Sequence, residues 1–404
     1  MSNIAVRVTP DALRQIRRGT PWVYDGSVTS ASRDGSPGEL AVIFDGDRKF
    51  AAVGLWDPTS PIRVKVLHHG KPVTIDAAFW RTRLASALDR RSGLAADPDT
   101  TGYRLVHGEN DALPGFVADR YGDTIVVKLY TPAWFAHLDT VVGELVGLTG
   151  ATRVVLRLAR SVVAPPVVEP VETPARTDGT VLLGPALTGP ITFRERGLEM
   201  EADVAAGQKT GHFLDQRDNR ALVRGMAAGK TVLDVFASTG GFALSAAAGG
   251  ATSVHLVDLA APALATARRN LERNPRAVSG TATRFTTGDA FEVLAALGTA
   301  GERYDIVIVD PPSFAQNQAS VDRAIRAYTR LTHLALGVLA PGGTLVQCSC
   351  SSRVSEDDFF NTVHAAARSA KRPLRELRRT GHAVDHPIGF DHGAYLKALY
   401  ATAR

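Results

Sequence analysis

The sequence predicts an α/β protein. Its main body is a Rossmann-like, doubly wound, mostly parallel sheet, preceded by a small β-barrel and an α+β middle domain. Three observations predict this. From about Ile191 onward, apolar strand-like runs alternate with Ala-rich helical patterns, as in βαβ units. The first 70 residues instead carry short β-type runs separated by turn residues. The length, 404 residues, allows two or three domains with a core each.

Composition narrows the class further. Hydrophobic content of 45% and charged content of 22% are ordinary globular values, which argues against disorder for the chain as a whole. The chain lacks an apolar run of ~18 residues, and its first nineteen residues lack an apolar leader core, so a soluble, cytoplasmic protein is expected. The two cysteines, Cys348 and Cys350, make no disulfide framework and have no partner at zinc-ligand spacing, so no metal is expected. The net charge of +5 is uneven: +3 over 1–72, −2 over 73–192 and +4 over 193–404. Nucleic acid is therefore a candidate partner of both ends.

The elements follow in order. Residues 11–18 form a short basic helix with Pro10 just before its cap. The barrel strands are Trp22–Tyr24, Leu40–Phe44, Phe50–Trp56 and 62–67, with Asp45-Gly46 marking a hairpin. Residues 77–92 have helical periodicity, with Phe79, Trp80, Leu84 and Leu88 on one face. Strands and turns fill 103–130, then a helix at 139–148 and a strand at 154–158. Four prolines within 164–174 exclude regular structure, so a loop or linker insertion is expected at about 164–177. The α/β part reads as strands at 232–236, 254–257, 283–285, Tyr304–Val309 and 344–348, with helices at 242–248, 261–274, 290–297 and 321–339. The expected domains are 1–72, 73–192 and 193–404.

Ligands of such sheets sit at the carboxyl ends of the strands. There the sequence places Phe236-Ala237-Ser238-Thr239-Gly240-Gly241, a small-residue turn into a helix whose glycines let backbone amides approach a ligand. The GxGxxG spacing of dinucleotide enzymes is absent. Asp258 closes the next strand, where a carboxylate accepts hydrogen bonds from a ribose diol. Asp289-Ala290 closes the third, suited to an adenine amino group. The fourth strand ends in Asp310-Pro311-Pro312-Ser313-Phe314, a rigid, donor-poor turn that leaves carbonyls facing a planar base. Beyond the next strand stands Cys348-Ser349-Cys350. A thiol there is a candidate nucleophile; two small apolar residues in a core is the competing reading. Upstream lies the polar run 208–220, in which Asp215 reads as the cap of a helix running on toward Met226, and its mix of polar and aromatic residues is that of a lid over the ligand.

Together these residues resemble the RlmI-type large-subunit rRNA methyltransferases, which use S-adenosylmethionine to methylate carbon-5 of a cytosine. The matching segments are Pro21-Trp22-Val23, 110–115, 209–220, 236–242, 310–314, Ser349-Cys350-Ser351, Asp385-His386-Pro387 and Tyr395-Leu396-Lys397. The resemblance implies a PUA domain, a middle domain and a class I methyltransferase domain. It makes Cys350 the nucleophile and Asp310 the base-orienting acid. Cofactor contacts then fall to Phe236, Ser238, Thr239, Gly240, Gly241, Asp258, Asp289, Ala290 and Asp310, with Gln216 and Arg217 from the upstream run. RNA contacts fall to Pro311, Pro312, Lys209, His212 and Trp22, with Arg14, Arg17, Arg18, Lys371, Arg372, Arg375 and Arg378 as phosphate candidates. The expected partner is large-subunit rRNA, with no membrane and no metal, and a homodimer stays open. The chain departs from the pattern at Ser238, where an aromatic is common, at the extra thiol Cys348, and over 157–180. Two rival readings remain: the same fold acting on another base such as guanine, and a non-catalytic RNA-binding ribosome-assembly factor.

Overall fold

A computed structural model describes residues 3–162, 176–315, 317–390 and 392–403; the proline-rich run 164–174 lies outside them. The chain forms two compact units that interleave in sequence. One comprises Met1–Arg194, Ala202–His212 and Val384–Gly393, the other Glu195–Glu201, Phe213–Ala383 and Ala394–Arg404.

The first unit holds two sheets. Six strands run in the order Trp22–Tyr24, Ile62–His69, Phe50–Trp56, Leu40–Phe44, Ile4–Val8, Val28–Ala31. Period-two burial explains them: Ile4 and Val6 are buried while Ala5 and Arg7 face solvent. The helix Pro10–Arg17 starts one residue earlier than expected. Thr9 is its cap, accepting from the Ala12 amide at 3.3 Å, and Pro10 is the first helical residue, where a missing N–H costs nothing. Five strands make the second sheet, in the order Val181–Leu183, Arg153–Leu158, Thr124–Leu129, Phe116–Tyr121, Gly102–His107. Helices Ala77–Asp89 and Leu138–Thr149 belong to its core, which centres on Trp80, Leu84, Phe116, Trp134 and Leu138. A buried ion pair lies within the first sheet, where Lys65 Nζ donates to Asp57 at 2.7 Å, and Thr131 Oγ1, just past a strand of the second sheet, donates to the same carboxylate at 2.6 Å.

The second unit carries a seven-stranded sheet. Its strands are β1 Thr231–Val235, β2 Ser253–Asp258, β3 Ala282–Thr287, β4 Tyr304–Val309, β5 Leu339–Ser349, β6 Leu374–Thr380 and β7 Lys397–Ala403. Helices are α1 Arg217–Met226, α2 Gly241–Ala248, α3 Ala261–Glu272, α4 Ala290–Thr299, α5 Val321–Val338 and α6 Glu356–Ser369. The order is β3-β2-β1-β4-β5-β7-β6, parallel through β5, with β7 antiparallel to both its neighbours. Continuous apolar strands such as Ile306–Val307–Ile308–Val309 follow from helices covering both faces. The order reverses at β1, which opens a crevice at the carboxyl ends of β1 and β4.

Candidate active site

Register brings the site together. Val235 of β1 pairs with Val257 of β2 and Val309 of β4, and Val309 pairs with Gln347 of β5. One residue beyond this row stand Phe236, Asp258, Asp310 and Cys348; Cys350 stands three beyond it.

The turn after β1 is backbone-strained. Phe236, Ser238 and Gly240 all take the left-handed region, at φ 64°, 49° and 77°. For the two non-glycine residues this costs about 1–3 kcal/mol each, and such strain clusters at ligand sites. Hydrogen bonds hold it: Ser238 N donates to Asp258 Oδ2 at 2.8 Å, Ala237 N to the Val257 carbonyl at 3.0 Å, and Asn270 Nδ2 to the Thr239 carbonyl at 2.9 Å. The glycines have a different immediate reason from the one the sequence indicates. A Cβ on Gly240 would lie 2.8 Å from Ala267 Cβ of α3, and one on Gly241 2.9 Å from Arg220 Cδ of α1. Close packing of the protein's own helices therefore demands them.

Four carboxylates stand at this end of the sheet, Asp234, Asp258 and Asp310 close enough to act on one another. Asp258 also accepts from Ala260 N at 2.8 Å, and Asp289 caps α4 through the amides of Phe291 and Glu292, with Ala290 buried behind it. Asp310 ends β4. The fourth, Asp234, is not among the site residues that the sequence indicates, although an acid inside Val232-Leu233-Asp234-Val235 is a signal that could have found it. Its Oδ2 accepts from Ala243 N at 3.0 Å; its buried Oδ1 has no partner among the described residues. Burial, and then the Asp310 and Asp258 charges, push its pKa up to about 8.

The two thiols part company. Cys348 lies on β5, fully buried, and burial raises its pKa well above the usual thiol value. Because β5 stops at Ser349, the strand alternation that would put both thiols on one face does not reach Cys350. Cys350 is partly exposed in the following turn, and its Sγ donates to the Pro311 carbonyl at 3.6 Å. The two turns are sewn together: Ser351 Oγ and Ser313 Oγ both donate to the Ala315 carbonyl, at 3.2 and 3.1 Å. Tyr328 and Ser349 share a 2.7 Å bond beneath them. Lys397 of β7 closes the seam, its buried Nζ donating to the carbonyls of Ser351 at 2.5 Å and Val354 at 2.7 Å. Burial brings that ammonium down to about 8, opposed by the nearby Cys350. Lys397 falls in a matched motif, but its task at this seam is visible only in the fold.

A family model described as S-adenosylmethionine-dependent methyltransferase matches residues 105–401, and a PUA-like domain matches residues 6–69. The chain belongs to the S-adenosylmethionine-dependent methyltransferase family. A "Ribosomal RNA large subunit methyltransferase" of Deinococcus radiodurans is 44% identical over 98% of this chain and 97% of its own length. A "Ribosomal RNA large subunit methyltransferase I" of Shewanella frigidimarina is 34% identical over 98% and 99%. In fold, the chain is similar to a SAM-dependent methyltransferase from Streptococcus mutans, at TM-score 0.82 and 23% identity over 98% of this chain and 99% of that one. It is equally similar to a methyltransferase solved with SAH, at TM-score 0.82 and 22% identity over the whole of both chains.

The methyltransferase cofactor bears a sulfonium, an ammonium and a ribose diol. Carboxylates at four successive positions along the strand ends, one with an unengaged buried oxygen, fit such a ligand.

Around this methyltransferase site, the upstream run behaves differently from expectation. It is anchored, not lid-like. Asp215 does not cap α1; its Oδ2 accepts from Tyr395 at 2.8 Å, and Gln216 occupies the cap position without a side-chain capping bond. Gln216 Oε1 accepts from Asn219, Arg217 is buried, and Arg220 forks onto Glu195 at 2.7 and 2.6 Å. Lys209 and His212 belong to the first unit, where Lys128 donates to the Lys209 carbonyl and Thr210 Oγ1 to Asp119 at 2.5 Å. Trp22 lies there too, donating to Glu109 at 3.1 Å with its ring 5.0 Å from Phe390. Of the phosphate candidates, Arg14 and Arg17 are taken by Asp11 and Asp45, while Arg18 is exposed. Arg372 is a correction: its guanidinium donates to the carbonyls of Leu336, Leu339 and Ala340, so it closes the turn between α5 and β5. Arg375 Nε lies 3.5 Å from Thr402 Oγ1, whereas Lys371 and Arg378 are exposed.

Among the described residues no group of three His, Cys, Asp or Glu side chains could hold a metal ion. No helix among them is long and apolar enough to cross a membrane.

Proposed function

We propose that this methyltransferase forms 5-methylcytosine in large-subunit ribosomal RNA through a covalent adduct with Cys350. One observation carries the reading: of two neighbouring thiols, one is sealed in the core, and the other meets solvent while bonded to the Asp-Pro-Pro turn. The rRNA substrate is supported by the names of relatives that match nearly the whole chain. A ribosomal substrate implies a cytoplasmic enzyme.

Cytosine carbon-5 is a weak nucleophile. The Cys350 thiolate adds to carbon-6, breaking the 5,6 double bond and making carbon-5 an enamine carbon. Asp310, acting as the acid, accepts from the amino group and gives its proton to the ring nitrogen, neutralising the negative charge that the addition pushes there, and takes that proton back when the ring is restored. S-adenosylmethionine supplies the electrophilic methyl group. Loss of the carbon-5 proton to a base then expels the Cys350 thiolate and restores the ring. Lys397, buried beside that turn, fixes the loop that carries Cys350 through the Ser351 and Val354 carbonyls. Phe236, Ser238, Thr239, Gly240, Gly241, Asp258, Asp289, Ala290, Gln216 and Arg217 would hold the cofactor. Pro311 and Pro312 would face the base, and Trp22, Arg18, Lys209 and His212 would serve the rest of the RNA. Separate sheets over 4–69, 102–183 and 231–403 support domains at 1–72, 73–192 and 193–404.

RNA carrying 5-fluorocytosine lacks the departing proton, so a protein–RNA adduct should accumulate and be seen by mass spectrometry on the Cys350 peptide. Unimpaired methyl transfer by Cys350→Ala would overturn the covalent reading and point to another base.

A further inference from the structure

The Asp310–Phe314 turn has a second side. Between it and α5 opens a cavity of about 380 Å³, lined by Ser313, Phe314, Arg323 and Ala327. At about 100° per residue, Arg323, Arg326, Ala327 and Arg330 fall within roughly a 100° arc of α5, so they share one face. The three arginines are exposed, and none forms an ion pair among the described residues. That sets them apart from Arg14, Arg17 and Arg284, each neutralised by a carboxylate. Asp322 is the one acid on this stretch, leaving residues 322–330 at +2.

Aromatic rings complete the strip. Phe314 and Phe291 are partly exposed, their rings 6.4 Å apart, and Phe314 rests at 5.1 Å on the buried Tyr328. The Arg330 guanidinium lies 4.9 Å from the Phe291 ring centroid. Interleaved arginines and aromatic faces beside an open cavity are the chemistry that binds unpaired bases and their phosphates. A protein partner would be expected to meet a more apolar patch, and duplex RNA offers no free base to stack. The strip starts within four residues of Asp310, beside the position where a base would be held.

We propose that the arginine face of α5 and the Phe314 cavity bind the single-stranded RNA segment adjoining the target nucleotide. Phe314 and Arg323 stack on a neighbouring base, while Arg326 and Arg330 neutralise phosphates. The inference rests on RNA being the substrate of this methyltransferase, not on the identity of its nucleophile.

The test is equilibrium binding of a fluorescent single-stranded RNA to the full chain across a salt series. Arg323→Ala/Arg326→Ala/Arg330→Ala should weaken binding at least tenfold. It should also flatten the plot of log affinity against log salt by about 1.4, near 0.7 for each of the two lost phosphate contacts. S-adenosylmethionine binding should not move, and melting temperature should fall only slightly, through loss of the Arg330–Phe291 contact. Arg323→Lys/Arg326→Lys/Arg330→Lys should recover most of the slope but not the stacking share of affinity. Wild-type affinity and slope in the triple alanine variant would overturn the proposal, as would equal binding of a duplex of the same sequence. Cys350→Ala should bind this RNA as wild type does, so failure of the covalent mechanism leaves the binding result standing.

Discussion

The two ends of the seven-stranded sheet are built from similar polar residues and treat them in opposite ways. Toward the amino end, a chain of hydrogen bonds runs from Thr286, near the far end of β3, down to Tyr304 at the start of β4. Thr286 Oγ1 meets His255 Nε2 at 2.8 Å, His255 Nδ1 meets the Tyr304 hydroxyl at 2.7 Å, and that hydroxyl donates to Glu302 at 2.7 Å. Glu302 in turn receives Arg284 at 2.9 and 2.8 Å. The directions are fixed: Tyr304 donates onward, so it accepts from His255 Nδ1–H, and the neutral ring accepts from Thr286. A hollow of about 300 Å³ lies there, yet the polar side chains around it are engaged with one another. At the carboxyl end, two non-glycine residues sit at positive φ, a buried carboxyl oxygen lacks a partner among the described residues and a thiol meets solvent. Satisfied polar groups mark the end that stabilises; strain and unmet bonding capacity mark the end that binds.

The largest contrast should come from exchanging single groups at the two ends. Cys350→Ala is expected to cut methyl transfer on the order of a thousandfold or more while melting stays unchanged, measured by methyl incorporation into RNA. Next, Asp310→Asn should lose about a hundredfold in kcat and also weaken cofactor binding, measured by steady-state kinetics and calorimetry. A comparable loss from Tyr304→Phe would erase the contrast between the ends.

The pH dependence of stability should have opposite signs at the two ends. Asp234 folds with a pKa of about 8 against an ordinary 3.8, so the folded state binds the extra proton between those values. Its contribution is fully present below about pH 4 and is lost as pH rises to 8. His255 is held down at about 4 by burial, so the unfolded state takes the extra proton between pH 4 and 6.5. That contribution is present above 6.5 and is lost as pH falls to 4. Melting curves of Asp234→Asn should show a shallower decline toward pH 8, and those of His255→Asn a shallower decline toward pH 4. An unchanged profile in either variant would contradict the assignment. The smallest effect should be Tyr304→Phe, costing about 1–2 kcal/mol in denaturant unfolding with activity per folded molecule retained.

Much of this architecture is legible in the sequence because it rests on local signals. β4 begins and ends at the predicted residues, since an apolar run bounded by Arg303 and Asp310-Pro311 leaves no choice of limits. Acidic strand ends, the small-residue turn and the Asp-Pro-Pro run can be placed for the same reason. What escapes depends on partners far away along the chain. Asp215 looks like a cap until Tyr395 takes its carboxylate. Arg372 looks like a surface cation until three carbonyls surround it. The close packing of Gly240 against Ala267 likewise shows only in the fold.

Periodicity and turn chemistry act over a few residues, so the linear chain is enough to dictate alternating strands and helices, and hence a parallel sheet with its site at the carboxyl ends. The motif around Cys350 is local in the same sense and singles that thiol out. Folding in three dimensions is what seals Cys348 and leaves Cys350 open, because β5 stops between them and a buried Lys397 from β7 pins the turn. Folding likewise separates the neutralised arginines from the three on α5 that face solvent without a carboxylate among the described residues. Charge pairing is a property of distance in space, and spacing along the chain does not carry it.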